Sequence, residues 1–160
     1  MKYLSIIFVL FLLGGCANTR PYPNTASKNL HISTYKQNAS LLTAIDANLH
    51  IYQVENGCQK RYLGSVDLEN SNSINLGLPK NRWLMLSVEF GYSSIGFSGQ
   101  IQENYFLKPR KGYRYSMKVM HYQKVYNVEI FEINLQTGQQ REVYIRHING
   151  CNNSTPKRAR

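Results

Sequence analysis

The chain has 160 residues, with 19 lysines and arginines against 9 acidic residues and a formal net charge of +10. That length holds one ordinary domain with a real core. The charge directs attention to anionic partners, and the longest apolar run falls short of the ~20 residues that a membrane-spanning helix needs.

Met1-Lys2-Tyr3 opens the chain with one positive charge, and an apolar run follows from Leu4 to Leu13, broken only by Ser5. Gly14, Gly15 and Cys16 come next. A charged start, an apolar stretch of signal length and small residues at a cleavage point read together as an export signal over residues 1–15. Leu13-Gly14-Gly15-Cys16 also resembles the lipobox of bacterial lipoproteins, an aliphatic residue and two small residues before a cysteine. The resemblance implies that Cys16 takes a diacylglyceryl thioether, becomes the mature N-terminus and carries further acyl groups such as palmitate. Several acyl chains anchor stably where one is marginal. Ala17 stands where an aspartate would favour the inner membrane. Its presence implies the outer membrane of a bacterial envelope, with the domain facing the periplasm or the cell surface.

Residues 17–40 contain Pro21, Pro23 and several Asn, Ser and Thr, with few large apolar side chains. With Cys16 they are expected to form a flexible tether, residues 16–40, ahead of one folded domain, residues 41–151. Residues 41–45 open that domain as a short helix or a first strand. Residues 48–54 read as a strand ending at the turn pair Asn56-Gly57, and further strands are expected at 61–68 and 73–78. In 82–90, Leu84, Leu86, Val88 and Phe90 share one face, the mark of a half-buried strand. Residues 91–99 are rich in Gly and Ser and read as a loop or a broken edge, before a strand at 100–107 and a charged turn at 108–112. Segments 113–120, 125–133 and 141–148 alternate apolar and polar and read as an antiparallel meander. Residues 152–160 form a basic tail.

Seven or eight short strands with frequent turns predict an all-β chain, a single antiparallel β-sandwich, with a small barrel as the alternative. Two local patterns bear on that. Residues 60–68, then Ile74-Asn75-Leu76 and Leu78-Pro79-Lys80-Asn81-Arg82, resemble the PEGA-type surface module, with Val66-Asp67 where Thr-Pro is usual and Asn81 where Gly is usual. The plan of lipobox, tether and sandwich resembles the transthyretin-like lipoproteins of type VI secretion machines. Both resemblances imply a β-sandwich and assign no functional residue.

With Cys16 engaged by the anchor, Cys58 and Cys151 remain, and two thiols in an exported domain read as one disulfide. Closing so long a loop contributes about 4–5 kcal/mol by the chain-entropy account. The rival, a thiolate metal site, lacks a second ligand at metal spacing beside either cysteine.

Chemistry is harder to find. Gly91-Tyr92-Ser93-Ser94-Ile95-Gly96 is similar to a nucleophile elbow but one residue too long, with no helix pattern after it. His31, His50, His121 and His147 show no metal-ligand spacing. Asp67, Glu69, Glu129 and Glu132 are the carboxylates considered for acid–base work, and nothing places two of them at the required separation. Gly96, Gly99 and Gly112 match no phosphate-binding loop. The expectation is a protein that is not an enzyme and that uses no metal or cofactor.

The strongest remaining feature is basic. Lys108, Arg110, Lys111, Arg114 and Lys118 crowd one turn and the strand leaving it, with Tyr113, Tyr115, Tyr122 and Lys124 nearby. Joined by Arg141 and Arg146, they are expected to form a cationic stripe that binds an anionic ligand by phosphate pairing and stacking. The alternative role is protection of a sheet edge. The expected partners are membrane lipid, through Cys16, and an envelope protein or anionic polymer such as lipopolysaccharide or wall polymer; nucleic acid is not expected. The function these readings favour is a non-catalytic interaction or structural module, accessory to an envelope or secretion assembly. A hydrolase assembled only in the fold, and an inhibitor of host lysozyme, are weaker readings; a basic protein is a poor inhibitor of a basic enzyme. Protein extracted from host membranes is expected to lack residues 1–15, to carry acyl mass, and to alkylate at Cys58 and Cys151 only after reduction. Free thiols or an unacylated intact mass refute these expectations.

Overall fold

A computed structural model describes residues 20–36, 43–69, 71–94, 97–122 and 125–143. Among them are nine strands: β1 (Leu30–Lys36), β2 (Thr43–Val54), β3 (Lys60–Asp67), β4 (Ser73–Leu76), β5 (Leu84–Ser94), β6 (Phe97–Leu107), β7 (Tyr113–Tyr122), β8 (Val125–Asn134) and β9 (Gln140–Glu142). A single 3-10 turn, Asn56–Cys58, follows β2. The expected β-sandwich is what forms. One sheet has five strands in the order β4-β1-β7-β8-β9, and the other has four in the order β3-β2-β5-β6. No helix of the described residues is long and apolar enough to cross a membrane.

Alternation builds the core. Leu84, Leu86, Val88 and Phe90 of β5 all face inward, as do Leu49 and Ile51 of β2. They meet Leu30 and Ile32 of β1, Tyr115, Met117 and Val119 of β7, and Val128 and Ile130 of β8. Side chains of alternate residues leave a strand on one face, so each sheet offers one apolar face, and the two faces close on each other.

Three expectations need correction. The first is the tether. Leu30–Lys36 is a strand inside the five-stranded sheet, antiparallel to β4 and parallel to β7. The segment before it is clamped to the sandwich as well. Ser65 N–H donates to Arg20 O at 2.9 Å, and Tyr22 N–H donates to Ser65 O at 2.8 Å. The Tyr22 hydroxyl donates to Gly77 O at 2.8 Å, and Gly77 N–H donates to Asn24 Oδ1 at 2.7 Å. Asn29 is buried, donating from Nδ2 to Leu78 O at 3.0 Å and accepting from Leu78 N–H at 2.7 Å. Asparagines that look like linker composition are side-chain substitutes for backbone partners. The same element makes the fold mixed, because β1–β7 is the one parallel pair among the described strands.

The second is the loop at 91–99. β5 runs on to Ser94 and β6 starts at Phe97, so 91–94 and 97–99 are antiparallel strand, with Tyr92 paired to Gly99. A Cβ at Gly99 would meet the Tyr92 hydroxyl at 2.0 Å, so glycine here makes room for a ring. The third concerns strand limits. β2 extends back to Thr43 and β4 stops at Leu76. The last strand, β9, is Gln140–Glu142; of the expected 141–148 the structure describes 141–143, and 144–148, with Cys151 and the tail, lie outside the described residues.

A bulge between β2 and β3 carries the N-terminal segment. Ile51 pairs with Gly64 and Tyr52 with Tyr62, so Leu63 is the extra residue. Gly64 has φ +145, and a Cβ there would lie 2.5 Å from Tyr22 Cα. Gly64→Ala is therefore expected to cost about 2 kcal/mol and to loosen residues 20–29. Thermal unfolding and the rate of tryptic cleavage after Lys28 check this; an unchanged rate contradicts the clamp.

Candidate functional site

Four turns meet at one end of the sandwich: 55–59, 77–83, 108–112 and 135–139. Backbone hydrogen bonds join them in series. Val54 N–H donates to Trp83 O at 2.8 Å, Asn81 N–H to Pro109 O at 2.7 Å and Leu135 N–H to Gly112 O at 3.0 Å. Asn81 takes φ 61, in the left-handed region that asparagine tolerates better than most residues. The turns thus form one connected surface.

Exposed Lys60, Arg61, Lys80, Arg82, Lys108, Lys111 and Arg114 lie in these turns or in the first two residues of the strands leaving them. Glu55 is the one acidic residue within the four turns. Arg61 and Arg82 converge on a single atom: Arg61 Nη2 donates to Gln53 Oε1 at 2.9 Å and Arg82 Nη1 to the same oxygen at 3.0 Å. Arg61 Nε also pairs with Glu55 at 3.3 Å. A neutral amide oxygen therefore holds two guanidinium groups side by side with only one carboxylate near, a geometry suited to a phosphate or carboxylate ligand. Lys108 Nζ stands 5.9 Å from the centre of the half-buried Trp83 ring, which adds an aromatic face.

Beneath this surface sits a buried carboxylate. Glu132 of β8 is 4% exposed and accepts from Arg110 (Nη2 at 2.5 Å, Nε at 3.2 Å), from Arg141 Nε at 2.8 Å and from the Tyr115 hydroxyl at 2.9 Å. Arg110 N–H donates in turn to the Tyr115 oxygen at 3.1 Å, and the Arg110 guanidinium lies 4.0 Å from the Tyr113 ring centre. Burial alone would raise the Glu132 pKa; hydrogen bonds from Arg110, Tyr115 and Arg141 outweigh it and hold the carboxyl below its ordinary value. Burial, with the adjacent carboxylate, pushes the Tyr115 phenol up, so it remains a donor.

The five residues of the expected stripe do not form one stripe. Arg110 turns inward to Glu132 and positions the turn instead of offering a free cation. Lys118 stands in the middle of the outer face of the five-stranded sheet, opposite Glu129 and 5.6 Å from the Phe131 ring centre. Lys108, Lys111 and Arg114 stay exposed at the turn end. Arg141 faces Glu132 and leaves the stripe as well, Tyr115 is buried, and Arg146 lies outside the described residues. Sequence reading missed Lys60, Arg61, Lys80 and Arg82; the only signal was two short basic runs whose meeting depends on strand pairing. Cys16, expected to carry the anchor, and Cys151, expected to pair with Cys58, lie outside the described residues, while Cys58 ends the 3-10 turn at this same end with φ 66.

Acid–base chemistry has no assembled centre among the described residues. Asp67 accepts from Glu69 N–H at 2.6 Å, Glu129 lies on the outer face of the five-stranded sheet, and Glu132 is held by arginines. His50 pairs with Glu89 at 3.4 Å, with the Tyr62 hydroxyl 3.5 Å from its other ring nitrogen, on the outer face of the four-stranded sheet. A cavity of about 470 Å³ beside Glu89 is lined by Asp46, Ser93 and Ser98 without a histidine among its described residues. No group of three His, Cys, Asp or Glu among the described residues is placed to hold a metal.

No protein-family model matches the chain. No curated protein matches it in sequence. Among solved structures, the chain is similar to transthyretin from Sparus aurata, with a TM-score of 0.47 and 11% identity, over 66% of this chain and 98% of that one.

Glu132 sets a pH test. Its folded pKa lies below the ordinary 4.5, so its contribution is complete above that value and is lost as the pH falls through the folded pKa. Arg110 and Arg141 are 43% and 68% exposed and can rehydrate, so Glu132→Gln is expected to cost about 2 kcal/mol at neutral pH, below the full penalty for breaking a buried pair. Urea unfolding across pH should show the difference between wild type and variant closing in acid; a pH-independent gap contradicts the assignment.

Proposed function

We propose that this chain is a lipid-anchored envelope lipoprotein whose sandwich is a non-catalytic docking module, and that the turn end is its docking surface. The ligand is an anionic envelope polymer such as lipopolysaccharide or wall polymer. The observation that carries this reading is the convergence of Arg61 and Arg82 on Gln53 Oε1, within a hydrogen-bonded end that also presents Lys60, Lys80, Lys108, Lys111 and Arg114. A flexible cation gains little from an anion, because ordering its side chain offsets the attraction; cations already fixed by a shared acceptor lose less on binding. Arg110 acts through position, tying its turn to Glu132. Cys58 and Cys151 form a disulfide in this reading.

A second reading, an acidic protein partner within an envelope or secretion assembly, is favoured by Leu135. That side chain is 60% exposed on the turn beside Gly112.

Full-length protein in detergent, passed over heparin and over immobilised lipopolysaccharide, tests the proposal. Lys80→Glu, Arg82→Glu and Lys108→Glu combined should lower affinity about tenfold or more and move elution to lower salt. Lys118→Glu should leave elution nearly unchanged. Equal effects at both places would return the site to a diffuse basic surface, and no effect at the turn end would refute the docking surface.

A further inference from the structure

The clamped N-terminal segment has a geometric consequence for the anchor. Arg20 is already fixed to Ser65 on β3. Four residue steps separate it from Cys16. A chain spans at most ~3.3–3.6 Å per residue, so Arg20 lies within about 14 Å of the acylated residue. A domain on a long tether samples all orientations; a domain on this leash does not. If Cys16 carries acyl chains, that reach keeps the β3 edge close to the leaflet that holds them.

That edge is built for an interface. A cavity of about 410 Å³ between the clamped segment and β3 is lined by Arg20, Tyr22, Arg61, Tyr62, Leu63 and Pro79. Arg20 and Arg61 are exposed, and the two tyrosines are half-buried. Guanidinium groups pair with phosphate oxygens, and tyrosine rings are favoured at headgroup depth; the Tyr22 and Tyr62 hydroxyls stay bonded within the domain, to Gly77 O and His50 Nδ1. Charge is complementary, and the leash length is close to the ~8–10 Å over which surface charges act in salt.

We infer that the mature domain stands directly on its leaflet, β3 edge down, with the Arg20–Arg61 cavity holding the phosphate of a lipid headgroup. This rests on the lipid anchor at Cys16 proposed above. It deepens that proposal by giving the domain an orientation. β3 and β6 are the two edges of the four-stranded sheet, so Lys108, at the end of β6, stands about 14 Å, three strand spacings, from the leaflet edge. The turn end then presents Lys80, Arg82, Lys108, Lys111 and Arg114 to a ligand, and Arg61, which shares Gln53 Oε1 with Arg82, stands where that surface meets the leaflet.

The test uses full-length protein extracted from membranes, its acylation established by intact mass, then reconstituted in phosphatidylcholine vesicles containing phosphatidylglycerol. Phenylglyoxal modification of Arg20 and Arg61 is compared by mass spectrometry with that of Arg114. Arg20 and Arg61 should be protected severalfold in vesicles relative to detergent, with Arg114 unchanged. A Gly-Ser insertion between Asn18 and Thr19 should abolish the protection. Inorganic phosphate added to protein in detergent should not reproduce it. Equal modification in vesicles and detergent, with acylation confirmed, overturns the orientation and leaves the anchor standing. Protection by free phosphate alone identifies a soluble-anion site and overturns the headgroup assignment. An acyl-free mass overturns the anchor itself and the orientation with it.

Discussion

Burying the Glu132 carboxylate obliges three donors from different parts of the chain to converge on it. Arg110 comes from the turn after β6, Tyr115 from β7 and Arg141 from β9. A buried carboxylate without them would carry a large desolvation cost, so the three positions are fixed relative to one another. Because Arg110 belongs to the turn that also accepts from Asn81, the constraint reaches the β4–β5 turn and its neighbours. The cationic surface is held in shape from below by a single anion. Two arginines, Arg110 and Arg141, are devoted to order, and the other cations of that end remain exposed at the surface.

The placement of charge follows from the sandwich. Antiparallel strands return to the same end every second turn, so short basic runs at 60–61, 80–82 and 108–111, far apart in sequence, become neighbours. No individual run is exceptional. Their sum is, with Glu55 the one acidic residue in the four turns.

Sandwich class and core were legible because alternation is a local property: Leu84 to Phe90 and Tyr115 to Val119 announce their buried face without reference to any other strand. The clamped segment was not legible for the opposite reason. Asn24 and Asn29 are polar and proline-flanked residues surround them, yet their amides replace backbone partners at Gly77 and Leu78, 53 and 49 residues away. Composition cannot distinguish a solvated amide from one that bonds a distant carbonyl. The Gly-Ser hairpin at the end of β5 misled similarly, since small residues there accommodate Tyr92 and do not mark a break. Of the candidate site, the 108–114 part was visible as a run; Arg110's inward role depended on Glu132, which in sequence is only one of four carboxylates with no partner in view, and the 60–82 part required the fold.

The parallel pairing of β1 with β7 carries a different kind of consequence. Leu30 finds Tyr115 across the sheet, so the first strand made waits for one of the last. At ordinary rates of synthesis the interval is roughly five to fifteen seconds, and over its second half β1 has β4 on one side and nothing on the side that β7 will fill. A strand with unpaired edges invites wrong partners, and pairings between distant segments form slowly. Final closure of the five-stranded sheet is therefore an event of nearly the whole polypeptide, and truncation between β4 and β7 leaves β1 paired on one side only, with β4.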